Sequence, residues 1–238
     1  MTLWRFFVCG LAILAGMDAQ AGSLPQAPGY ANAVLERLNT AYAGIGAYQT
    51  EVETSEYQQG RLVATRRFRF SFQKPGRLRI DMHTPHPGMR LVYPDENGKV
   101  WVRFGGWMGF MHLRLAPDNA LFATRSGQRI DQSDIGLLIR NIGRSLTDQR
   151  RGALQVAEQG RQLRLDVVAA DHFLSGVTTR YLFVIDKTLW LPVAVEERTP
   201  AGQLRRSIDF RQLRIDPVFP EHFFDIDKEG STHETSAD

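Results

Sequence analysis

The chain has 238 residues, 43% of them apolar and 23% charged, with a formal charge of +3. That composition supports a packed core and excludes a wholly disordered chain. Its 29 Lys and Arg are spread against 26 Asp and Glu without a clustered basic patch, which argues against nucleic-acid binding, and a single cysteine excludes a disulfide framework.

The first residues, MTLWRFFVCGLAILAGMDAQAGS, place one early cation, Arg5, before an apolar run from Phe6 to Leu14, with Ala19 and Ala21 in an A-x-A arrangement. This pattern predicts a secretory signal peptide over residues 1–21, cleaved after Ala21. The run is shorter than the ~20 residues a membrane-spanning helix needs. Cleavage removes Cys9, leaving the mature chain without a thiol or a lipid anchor, and takes away Arg5 and Asp18 together, so the formal charge stays at +3. A bacterial periplasm is the compartment this predicts, for a soluble monomer with one domain over residues 22–227. The polar end, KEGSTHETSAD, residues 228–238, is expected to be disordered.

From Tyr30 to Ile45, Val34, Leu35, Leu38, Ala41, Tyr42 and Ile45 recur at helical spacing, and Gly44 and Gly46 close the helix. The period then becomes two. In RLVATRRFRFSFQ one face carries Leu62, Ala64, Arg66, Phe68, Phe70 and Phe72. The stretch MHTPHPGM brings His83 and His86 near Asp81, but an H-x-x-H spacing with no second ligand pair does not define a metal site. After the strand KVWVRF comes GGWMGFMHLRL, dense in aromatics and methionine and loosened by Gly105, Gly106 and Gly109.

A second helix interrupts the strands at SDIGLLIRNIG. Ser133 is the expected cap, Asp134 suits the positive end of the helix dipole, and Gly143 the expected stop; Ile135, Leu138, Ile139 and Ile142 share one face. Alternation resumes in Leu163, Leu165, Val167 and Ala169, in Tyr181, Phe183 and Ile185, in Leu189, Leu191, Val193 and Val195, and in Leu204, Ile208 and Phe210. A change of phase to Leu213 and Ile215 predicts a bulge near Arg211 and Gln212. Short turns such as DENGK and TPAGQ join antiparallel neighbours, so the strands form a long meander. Arg67, Arg69, Arg164, Arg205 and Asp209 fall on its wet face, the basic part of which suits an anionic membrane surface or a protein partner. The expected class is α+β: a large curved antiparallel sheet with an N-terminal helix and an inserted helix on the concave side.

Four segments in this order resemble the LolA/LolB-type periplasmic lipoprotein carriers: FSFQKPGRLRIDM, GKVWVRF, SDIGLLIRNI, and LWLPVAVEERTPAGQLRRSIDFRQLRIDPVFPEHFFDI. The resemblance implies an incomplete β-barrel with a lid helix, an apolar cavity for acyl chains, no catalysed reaction, no cofactor and no metal. Where those carriers have Arg before the turn proline this chain has Lys74, the implied residue controlling the lid, and Ile80 stands where they have Trp. On this basis Phe68, Phe70, Trp101, Phe104, Trp107, Met108, Phe110 and Met111 are expected to line or border the cavity with Ile135, Leu138, Ile139 and Ile142 of the lid. A nucleophile arrangement of Ser133 and Asp134 with His112 or His172 lacks a G-x-S-x-G elbow or other activating context. The expected function is binding or carriage of lipid or lipoprotein acyl chains in envelope traffic. The alternative is a sensing module that reports lipid state to an envelope membrane protein.

Overall fold

The computed structural model describes residues 29–119, 129–148 and 154–225. The expected signal peptide, with Cys9, and the polar tail lie outside them. Helix α1 (Tyr30–Ala43) is followed by β1 (Ala47–Gln58), β2 (Arg61–Gln73), β3 (Arg77–Thr84), β4 (Arg90–Tyr93), β5 (Val100–Arg103) and β6 (His112–Leu115). Helix α2 (Ile135–Thr147) precedes β7 (Leu154–Gln159), β8 (Gln162–Ala170), β9 (Thr178–Asp186), β10 (Leu191–Arg198) and β11 (Leu204–Ile215). Among the described residues, no helix is long and apolar enough to cross a membrane.

All eleven strands form one antiparallel sheet in the order β6-β5-β4-β3-β2-β1-β11-β10-β9-β8-β7. The chain runs outward from β1 to β6, restarts at the far edge with β7, and returns until β11 pairs with β1. The meander is therefore two meanders joined by its first and last strands. The sheet does not close, because β6 and β7 remain at its edges; the class is the α+β sheet with two helices that the patterning predicts, open as the resemblance implies.

The two halves are covered differently. Both helices sit over the β7–β10 side: α2 packs on β8 and β10, and α1 on α2 and β10. Leu163, Leu165 and Val167 of β8 and Tyr181, Phe183 and Ile185 of β9 are buried in one core with Ile135, Ile139 and Ile142 of α2. Strict alternation of strand side chains supplies this layer. On the other half, register across β2, β1 and β11 stacks three rows: Phe68, Val52 and Phe210; Arg66, Thr54 and Ile208; Ala64, Glu56 and Arg206. The inward face thus runs from apolar to charged along these strands.

Several local expectations change. Helix α1 stops at Ala43, and Ile45 is buried in the connection after it. Asp134, not Ser133, caps α2, accepting from the main-chain N–H groups of Gly136 and Leu137. Gly143 lies inside the helix, where a Cβ would meet Leu35 at 3.3 Å, so its role is close helix packing. Leu62 and Leu189 are exposed rather than on a buried face. Trp101 joins Val92 and Phe224 in a small second core on the convex side, opposite its neighbours Val100 and Val102. The bulge in β11 is present: between Gln49 and Glu51 of β1 the partners jump from Arg214 to Arg211, with Gln212 at φ 52°.

Gly105 is required by a close approach, since a Cβ there would lie 2.2 Å from the carbonyl oxygen of Pro87, whereas nothing lies within 4 Å of one at Gly76. Gly105→Ala should lower the unfolding free energy by about 1–3 kcal/mol. Gly76→Ala should stay within roughly 0.5 kcal/mol of the parent protein. Urea denaturation of the two variants reads the difference.

Candidate functional site

Over the less covered half of the sheet lies a cavity of about 350 Å³, within the ~300–1,000 Å³ range of small-molecule sites. Its floor is built from Val52, Thr54 and Glu56 of β1, Arg66, Phe68 and Phe70 of β2, Ile80 and Met82 of β3, Leu91 of β4, and Arg206, Ile208 and Phe210 of β11. Pro85, His86 and Met89 form one rim, and Ile130 and Ser133 approach from the segment before α2. A larger concavity of about 520 Å³ lies along Pro217–Asp225 with Gln73 and Arg77. Its wall is mostly one chain segment, whereas facing side chains from several strands converge on the concave cavity, which we take as the site.

One end of the cavity is ionic. Arg66 donates to Glu56 at 2.7 Å, and Arg206 donates to Glu197 of the neighbouring strand β10. Glu56, Glu197 and Arg206 are each more than nine-tenths buried. A second chamber of about 50 Å³ adjoins this end, sharing Arg206, Ile208 and Phe210 and adding Leu137, Leu138 and Asn141 of α2 with His172, Tyr181 and Glu197. The His172 ring stacks on Tyr181 at 4.1 Å between centroids, and its Nε2 pairs with Ser145 Oγ at 2.8 Å. Burial lowers its pKa to about 4, with Arg144 and Arg206 adding to the effect against the opposing pull of Asp171. The imidazole is therefore neutral at physiological pH.

Helix α2 is held over the sheet at its N-terminus. The Tyr42 hydroxyl donates to Asp134 Oδ2 at 2.6 Å, and the Ile135 main-chain N–H donates to the Tyr48 hydroxyl at 2.9 Å. Burial, the hydrogen bond and the charge of Asp134 all push the Tyr42 pKa up, keeping it a donor. Among the described residues, Lys74 makes no hydrogen bond to Asp134 or α2. Its Nζ donates to the carbonyls of Tyr42 (2.8 Å) and Ala43 (3.1 Å) and lies 4.6 Å from the centre of the Tyr42 ring. It caps the C-terminus of α1, where a cation is favoured, and reaches the lid through Tyr42.

The structure divides the residues singled out by sequence. Phe68 and Phe70 line the cavity, and Leu138 borders the small chamber. Ile135, Ile139 and Ile142 are at most 2% exposed, packed in the core beneath α2. Trp101 is on the convex side. Phe104 and Met108 are half-buried, and Trp107, Phe110 and Met111 are exposed, Trp107 at 83%. The loop carrying these residues leads into edge strand β6, and none of Phe104, Trp107, Met108, Phe110 and Met111 lines the cavity. Ser133 Oγ donates to the Arg129 carbonyl, His112 packs against Trp101, and His172 faces Ser145, so Ser133 has neither histidine as its base. His83 pairs with Glu51 while Asp81 binds Arg79 and Arg90; among the described residues no three metal-ligating side chains converge. Sequence reasoning missed Glu197, Arg206 and Asn141. A signal for Arg206 was available, since it stands in the inward phase between Leu204 and Ile208.

No family model and no curated protein matches the sequence. Among solved structures, the chain is similar to LprF from Mycobacterium bovis at 12% identity, with 83% of this chain and 97% of that one covered and a TM-score of 0.48. It is similar to a LolA superfamily protein from Nitrosomonas europaea at 11% identity, with 82% and 96% covered and a TM-score of 0.39. A third likeness is to a chain of the Pseudomonas aeruginosa MucA/MucB complex, at 18% identity, with 82% of this chain and 60% of that one covered and a TM-score of 0.44.

Tyr42→Phe removes a donor to a carboxylate and should lower the unfolding free energy by about 1.5–3 kcal/mol, read by denaturant titration. His172 has a second consequence. Its folded pKa of about 4 lies below the ordinary 6.5, so between those values the unfolded chain binds more protons. Stability therefore falls as pH drops through that window and is fully present above it. Between about pH 7 and pH 4.5, His172→Gln should lose roughly 1–3 kcal/mol less stability than the parent protein.

Proposed function

We propose that the protein is a periplasmic carrier that holds an acyl chain of a lipid or lipoprotein between the concave sheet and the segment leading into α2, in traffic toward the outer membrane. The observation that carries this reading is the cavity of about 350 Å³ whose floor is Phe68, Phe70, Ile80, Met82, Leu91, Ile208 and Phe210. Each methylene buried there contributes roughly 0.8 kcal/mol before the costs of ordering, enough for reversible retention of a partly inserted chain. Met82 and Met89 on its wall adapt to chains of differing shape. The leader around Arg5 and Phe6–Leu14 supports export, and the resemblance of four segments to lipoprotein carriers supports the cargo class. Binding and release need no bond-making chemistry, and the pairs Arg66–Glu56 and Arg206–Glu197 give one end of the cavity a polar character.

Native mass spectrometry of the protein purified from periplasm without detergent tests this. Lipid adducts are expected in the parent protein and in Trp107→Glu, whose side chain lies outside the cavity. They should fall at least roughly tenfold in Phe68→Glu and Phe210→Glu, because each places a carboxylate against the chain; circular dichroism checks that both remain folded. A ligand-free mass for the parent protein, together with no uptake of a fluorescent acyl probe, would sink the proposal.

A further inference from the structure

We infer that the ligand is a neutral amphiphile whose polar end carries a hydrogen-bond donor, a hydroxyl or an amide N–H, received by Asn141. This rests on the reading of the larger chamber as an acyl-chain site and specifies the other end of the same molecule.

Asn141 projects from α2 into the small chamber and is 4% exposed, yet its Oδ1 has no hydrogen-bond partner. A buried acceptor without a partner is costly and uncommon. Nearby, His172 pairs with Ser145, and Arg206 donates to Glu197. Asn141 Oδ1 is an acceptor that still wants a donor. The chamber's volume of about 50 Å³ exceeds the ~10–15 Å³ that one water requires and suits a small polar group. The chamber adjoins the apolar cavity along Arg206, Ile208 and Phe210, so a chain lying over Phe68 and Phe210 ends beside Asn141.

Charge narrows the class. Glu56 and Glu197 are balanced by Arg66 and Arg206 in two ion pairs, so both of these arginines already hold a carboxylate. The Glu197 carboxylate and Asn141 Oδ1 are both acceptors and disfavour an anion. An ammonium would have to be desolvated with no carboxylate left unmatched to hold it. A neutral donor meets the requirement.

Displacement of a fluorescent acyl probe by four ligands of one chain length tests the inference: tetradecanol and tetradecanamide, which donate; tetradecyl methyl ether, which only accepts; and tetradecanoate, which is anionic. The alcohol and the amide are expected to compete roughly tenfold better than the ether, and tetradecanoate less well than the alcohol. Asn141→Leu should bring the alcohol and the ether within about twofold of each other, because the acceptor is gone while the apolar cavity that holds the chain remains. It should also raise the thermal midpoint of the ligand-free protein. Asn141→Ala serves the same comparison should the leucine not fit. Equal competition by alcohol and ether in the parent protein, or a preference that survives in a folded Asn141 variant, overturns the inference while leaving chain binding intact. Failure of the probe and all four ligands to bind overturns the acyl-chain reading as well.

Discussion

The arrangement depends on how the first turn of α2 is tied down. A helix N-terminus exposes unpaired N–H groups, and here Asp134 takes two of them while also accepting from Tyr42 of α1. Tyr48, from central strand β1, takes the N–H of Ile135. Three elements thus meet at one carboxylate and two phenols. Gly136 makes room, since a Cβ at that position would sit 2.6 Å from the Tyr42 ring. Lys74 stiffens the other side by holding the last carbonyls of α1. In place of a direct bond from a basic residue to the lid, the link runs from Lys74 to α1 and from Tyr42 to α2.

With α2 tethered there, α2 falls over β8 and β10 and α1 over β10, and the concave face of β1, β2, β3 and β11 is left to form the cavity. Antiparallel register then grades that face from Phe68 and Phe210 at one end to Glu56 and Arg206 at the other. A buried ion pair is often no more stable than apolar residues of similar volume. Retaining Glu197 with Arg206 beside Asn141, whose Oδ1 lacks a partner, therefore fits the proposed amphiphile, with its chain and head at opposite ends of one cleft.

Legibility varied with how much of each element's burial was apolar. Leu163, Leu165, Val167, Tyr181, Phe183 and Ile185 alternate without exception and were readable at once. Strand β1 was hard to see because Thr50, Ser55 and Glu56 occupy buried positions; Thr50 satisfies its hydroxyl by donating to the Arg211 carbonyl across the sheet. Trp101 sits in a run, Val100 to Val102, that is apolar on both faces, so periodicity could not say which face met the main core. Ser133 and Asp134 are both good caps; the choice follows from a tyrosine 92 residues away.

Periodicity, turn residues and the bulge at Gln212 were determined by the sequence itself, because each reflects the backbone geometry of a short stretch. So was the class of the fold, an open antiparallel sheet with two helices. The pairing of β1 with β11, the side of the sheet that the helices cover and the exposure of Trp107 belong to the tertiary structure. So does the meeting of Glu56, Asn141, Glu197 and Arg206, which come from three strands and a helix spread across the chain. Such convergence has no local signature: it arises when distant segments are brought into register, and only then does a charged residue in an inward phase become part of a site.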